Sequence, residues 1–164
     1  IVILDDIEQE PDYINKKGRI VNGNKTIYFK KMKKELTDVL KRCICEGESK
    51  ENDNNDKNKL NNLICEGNKY YDLKKCGIGY HGDAERRKVI CVSLGANNYP
   101  MQWVWFKNSK PQSEPFKVLL NHGDLYIMSE KAVGYDWKKR SKLTLRHAAG
   151  ANKYLSLTRF NKKK

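Results

Sequence analysis

The sequence predicts a mainly β (α+β) fold, a sandwich or barrel, in one domain over residues 1–164. Two observations carry this. Short β-branched and aromatic segments, broken by Gly and Asn turns, recur from Leu63 to the end, roughly seven or eight strands in all. Only one segment has helical spacing, and there is no internal repeat.

Residues 1–30 read as extended, with a hairpin. Arg19-Ile20-Val21 and Thr26-Ile27-Tyr28-Phe29 flank the turn Asn22-Gly23-Asn24. Lys30 to Lys41 is the N-terminal helix, because Met32, Leu36, Val39 and Leu40 share one face. Residues 48–62, rich in Glu, Lys, Asn and Asp, form a low-complexity, solvated insertion that interrupts the domain. Strands are expected at Lys88–Leu94, Met101–Phe106, Phe116–Leu120, Asp124–Met128, Leu143–His147 and Tyr154–Phe160. Ser129 to Ser141 then reads as an insertion before a late strand.

The chemistry is expected at His81, Asp83 and His147. In an extended segment residues i and i+2 share a face, so His81 and Asp83 can grip one cation without distorting the backbone. A second imidazole from a distant strand makes a two-His, one-carboxylate triad, the set used by non-haem Fe(II) oxygenases. The remaining histidine, His122, sits in an Asn-His-Gly-Asp turn and reads as a surface residue.

Charge bounds the partner. Thirty-three basic against twenty acidic residues give a formal +13, which suits a polyanion such as nucleic acid. The cluster Lys138, Lys139, Arg140, Lys142 and Arg146 precedes His147 and should rim the mouth, joined by Arg86 and Arg87. Aromatics Tyr80, Trp103, Trp105, Tyr135 and Trp137 could stack on an extruded base, with core filling as the alternative for Trp103 and Trp105. No apolar run approaches membrane-span length, so a soluble protein with no membrane partner is expected. Five cysteines, an odd count without framework spacing, suit a reducing intracellular compartment, cytoplasm or nucleus. Cys43 and Cys45 could touch zinc, but no second pair is spaced to close a site. The chain opens on Ile1 without a leader and reads as trimmed.

Three runs carry a resemblance: Asn68-Lys69-Tyr70, Ile78 through Gly95 around His81-Gly82-Asp83, and Leu119 through Met128 with Gly123-Asp124. With the closing Ser156-Leu157-Thr158-Arg159-Phe160, they resemble the core of the AlkB-type Fe(II)/2-oxoglutarate-dependent dioxygenases over about residues 63–160. The resemblance implies a double-stranded β-helix, or jelly-roll, with Fe(II) in its mouth. It implies His81 and Asp83 as iron ligands, completed by His147. It also implies 2-oxoglutarate held by Asn68, Tyr70 and an arginine on the closing strand. That arginine is Arg159, with Lys153 as the substitute. An alternative alignment places Arg140 and Arg146 on the closing strand and loses the third ligand. The implied activity is hydroxylation or demethylation of nucleic-acid bases by a monomer, with O2 and 2-oxoglutarate as cosubstrates. Arg86, Trp137, Lys138, Lys139 and Arg140 would contact the substrate. A protein hydroxylase of the same superfamily, or a non-catalytic nucleic-acid-binding module on this scaffold, are the alternatives.

Overall fold

The computed structural model describes residues 2–5, 7–46 and 63–161. The expected insertion at 48–62 lies outside the described residues. Among those described, the chain is mainly β, and no helix is long and apolar enough to cross a membrane. It divides into two compact units, Ile1–Lys69 and Tyr70–Lys164.

In the first unit, β1 (Val2–Asp5) pairs in parallel with β2 (Ile20–Asn22) and antiparallel with β3 (Cys65–Gly67). The expected hairpin at Asn22-Gly23-Asn24 does not form. The Asn22 side chain instead accepts the Asn24 amide and starts a 3-10 turn, Gly23–Lys25. Thr26 Oγ1 donates to the Gly23 carbonyl, and α1 (Ile27–Glu46) follows, longer than expected at both ends. Local Asx capping outweighs the β propensity of Ile27, Tyr28 and Phe29.

The second unit is built on β4 (Gly77–His81), β5 (Val89–Val92), β6 (Tyr99–Lys107), β7 (Lys110–Pro111), β8 (Phe116–Leu120), β9 (Leu125–Met128) and β10 (Thr144–Gly150). One sheet runs β4–β10–β6, with β7 and β8 on successive parts of the far edge of β6. A second sheet is β5 with β9. Every pairing in the unit is antiparallel. The short helix α2 (Glu130–Val133), N-capped by Ser129, leads from β9 toward β10 where only an insertion was expected.

Strand alternation gives the larger sheet two apolar faces. Val104, Phe106, Ala148 and Tyr80 lie on one, under Leu155, Leu157 and Phe160. Tyr99, Met101 and Leu120 lie on the other, packed with Met128 and Tyr126 of the second sheet. The second cluster therefore fills a two-sheet sandwich, while the first is closed by the C-terminal segment.

That segment corrects the sequence reading. Tyr154–Phe160 is not a strand but two short helices, α3 (Asn152–Leu155) and α4 (Thr158–Asn161). Gly150 ends β10 at φ +104, a conformation open to glycine. Ser156 Oγ then accepts the Thr158 amide, a local turn that starts α4.

Candidate metal centre

The two histidines meet as direct cross-strand neighbours. His81 ends β4, and its register partner on β10 is His147. Their ring centroids are 4.3 Å apart at 56°. Between His147 and Ala149 the register slips, so two steps on β10 face three on β4, from His81 to Ile78. Such a bulge re-aims side chains and is common beside functional sites. Asp83 lies just past the strand rather than in it. Its amide donates to the Val133 carbonyl at 3.0 Å, which anchors the carboxylate.

One ligand atom from each of His81, Asp83 and His147 falls within 4.8 Å of the others. His81 Nε2 stands 3.5 Å from Asp83 Oδ1. His81 Nδ1 is 2.9 Å from the Gly79 carbonyl, which can only accept, so Nδ1 carries the proton and Nε2 keeps its lone pair. Arg86 steadies the other carboxylate oxygen, Asp83 Oδ2, at 3.3 Å.

His147 is buried, and its Nδ1 has no hydrogen-bond partner. Burial pushes its pKa down to about 4, with the neighbouring His81 adding to the shift, against the pull of Asp83 and the Ala132 carbonyl. A neutral imidazole with an orphaned nitrogen, facing a second imidazole and a carboxylate, fits a first-row divalent cation. The same shift predicts a stability effect. The folded pKa lies below the unfolded 6.5, so the unfolded chain binds the extra proton. His147 stabilises the metal-free protein fully above that pH and loses the contribution as pH falls from 6.5 toward 4, about 3 kcal/mol in all. Urea midpoints across this window should fall with acidity, and in His147→Gln that part of the fall should vanish.

Beside His147 runs an aromatic cleft of about 570 Å³, lined by Trp103, Trp105, Phe116, Tyr126 and Leu145 with Ser113 and Glu114. Trp103 is the β6 register partner of His147, so the cleft begins one residue from the cluster. Trp103 Nε1 donates to the Ala132 carbonyl. The sequence allowed Trp103 and Trp105 as base-stacking residues, but the cleft itself is assembled from β6, β8, β9 and β10 and has no linear signature.

Arg159, expected to pair with the far carboxylate of 2-oxoglutarate, does not reach this site. Arg159 is exposed on α4, its guanidinium over the Phe160 ring at 4.6 Å and against Gly79. Phe160 packs on the Tyr80 cluster, the sheet face opposite His147, so Arg159 keeps company on the wrong side for the proposed carboxylate. Lys153, the substitute, lies on α3 over the Tyr154 ring. Tyr70 is on the sandwich side, 5.1 Å from the Tyr99 ring, whereas Asn68 belongs to the other unit. No basic residue lines the cleft. The described residues thus fit a divalent metal, and neither Arg159 nor Lys153 lines the cleft beside it.

The substrate residues divide. Lys138, Lys139 and Arg140 are exposed on the turn before β10. Trp137 is half-buried and wedged against Gly82, where an added Cβ would meet its Cβ at 2.7 Å. It therefore braces the His81–Asp83 segment instead of offering a free stacking face. Arg87 is tied to Glu130 at 2.8 Å and lies over Tyr135. Arg146 was expected on the basic rim, but it is buried. His122 is exposed and accepts the Gly95 amide through Nδ1. Cys76 and Cys91 are free thiols, and the side chains of Cys43 and Cys45 lie outside the described residues.

No protein-family model matches the chain, and no solved structure matches it. Among curated proteins it is similar to an uncharacterized protein of Acanthamoeba polyphaga mimivirus, 41% identical over 149 residues. The match covers 91% of this chain and 51% of the viral protein, so the chain spans about half the length of the curated relative it matches.

Proposed function

We propose that the chain is an Fe(II)-dependent dioxygenase of the AlkB type that oxidises nucleic-acid bases. The observation that carries this reading is the convergence of the neighbouring His81 and Asp83 with His147, far along the sequence. Strand nesting supports it. β6 pairs with β8, β5 with β9 and β4 with β10, each pair enclosing the one before in sequence and alternating between the two sheets. A long hairpin rolled on itself produces such an order, which supports the jelly-roll reading.

A ferrous ion held by the triad would supply the oxygen chemistry that side chains lack. The chain's own residues do the rest. His81 is held in the ligating tautomer by the Gly79 carbonyl, and Arg86 and the Val133 carbonyl fix Asp83. Trp103, Phe116 and Tyr126 line an aromatic cleft, open to solvent, beside His147, where an unstacked base could lie. The exposed turn Lys138–Arg140, next to Trp137, meets backbone phosphates. A base oxidised in this slot must be out of its stack, so single-stranded oligonucleotides should be preferred.

One observation favours a second reading. With Arg159 on the opposite face, a non-catalytic nucleic-acid-binding module would explain the missing carboxylate partner. Succinate release from 2-oxoglutarate, stimulated by a methylated oligonucleotide and not by a peptide, supports the enzyme. Oligonucleotide binding without turnover in metal-loaded protein leaves the binding module. Replacing Lys138, Lys139 and Arg140 together by Ala should weaken oligonucleotide binding and reduce the salt slope by roughly 2. An unchanged slope removes this turn from the interface.

A further inference from the structure

We propose that Arg146, with the Trp137 indole N–H and Arg140, forms a phosphate-binding site on the sheet face opposite the metal cluster. Arg146 is 6% exposed, yet its guanidinium makes no hydrogen bond or ion pair among the described residues, and its Nε is sealed without a partner. It is stacked instead, 4.4 Å from the Phe106 ring and 5.4 Å from the Trp137 ring. Trp137 Nε1, in the same stack, is also sealed and unpartnered.

A buried guanidinium keeps its charge and needs a counter-ion. The charge acting on Arg146 is of the wrong sign: Arg140, which together with burial weighs against the charged form. Asp136, next to Trp137 in sequence, has Oδ2 engaged by Lys131 at 2.7 Å, while its Oδ1 is buried without a hydrogen-bond partner and is not paired with Arg146. Two rings hold the guanidinium plane, so its orientation is set before any ligand arrives. Nε alone of its nitrogens is wholly sealed, so the Nη end of the fork keeps some access to solvent. A planar donor fork, a second arginine and an indole donor form a receptor for a tetrahedral oxyanion.

The phosphate can come from the backbone of a nucleic acid or from free phosphate. The site does not depend on the metal reading, because none of its groups is in the His81–Asp83–His147 cluster. The test follows the Arg146 side-chain Nε–H signal in ¹⁵N-arginine-labelled protein, assigned with Arg146→Lys. Inorganic phosphate is titrated at constant ionic strength against chloride, and a short single-stranded oligonucleotide is titrated in parallel. Phosphate is expected to shift this signal saturably, and Arg146→Leu to weaken phosphate binding by about tenfold or more. A matching shift with the oligonucleotide identifies the backbone phosphodiester as the source; a shift with phosphate alone identifies the free ion. A signal unmoved by both overturns the proposal in the wild-type protein, whether or not Arg146→Leu folds. Unaltered phosphate affinity in a folded Arg146→Leu overturns it equally.

Discussion

His81→Ala is expected to lower Mn(II) or Fe(II) affinity by about a hundredfold or more, and His147→Ala to do the same. Each removes one of three ligands, and each leaves the other imidazole beside an underused Asp83. The two variants should differ in stability. His81 is a half-exposed strand end, and its loss costs little folding free energy. His147 is buried between Trp103 and His81, so truncation also opens a cavity, at a cost of about 2–4 kcal/mol. Arg86→Ala should weaken metal binding more mildly, about tenfold, by freeing the Asp83 carboxylate. Calorimetric titration of anaerobic protein with Mn(II) measures all three. Equal affinity in His81→Ala and wild type removes the metal from this site.

Gly82→Ala is expected to be the most damaging small substitution near the cluster. An added Cβ would stand 2.4 Å from the Gly134 carbonyl oxygen and 2.7 Å from Trp137 Cβ. The carbonyl is backbone and cannot step aside, because Gly134 is itself pressed against Leu145 of β10. The result should be a loss of about 1–3 kcal/mol and a shift of His81 relative to Asp83, read as a fall in both Tm and Mn(II) affinity. Gly79→Ala is the contrasting case three residues earlier. Its new Cβ would meet Arg159 Nη2 at 2.7 Å, the far end of an exposed, flexible side chain that can swing away. Its cost should stay under about 1 kcal/mol. Equal destabilisation by the two variants contradicts the close packing of Gly82, Gly134 and Trp137.

Much of the second unit was legible because burial and alternation speak in the same register. β5, β6, β8 and β9 lie where β-branched and aromatic residues cluster between glycine turns. His147 does lie on a late strand, but Asp83 meets His81 from beyond β4, placed by its amide bond to the Val133 carbonyl and not by strand alternation. Two of the failures share a cause: local capping defeats propensity. Asn22 turned an expected hairpin into a helix start, and Gly150 with Ser156 turned an expected closing strand into two helical turns. That second error carried Arg159 with it, since a side chain's face depends on the conformation of its segment. Arg146 was misread because a charge in a basic run looks like a rim residue. Only the stacked rings of Phe106 and Trp137, distant in sequence, reveal it as interior.

The most direct measurement is pulsed EPR of Mn(II) bound to wild-type protein carrying ¹⁵N-labelled histidine. Coupling to two imidazole nitrogens is expected, reduced to one in His81→Ala and in His147→Ala. Mn(II) that shows no histidine coupling, or coupling that survives both substitutions unchanged, contradicts a metal centre at His81, Asp83 and His147.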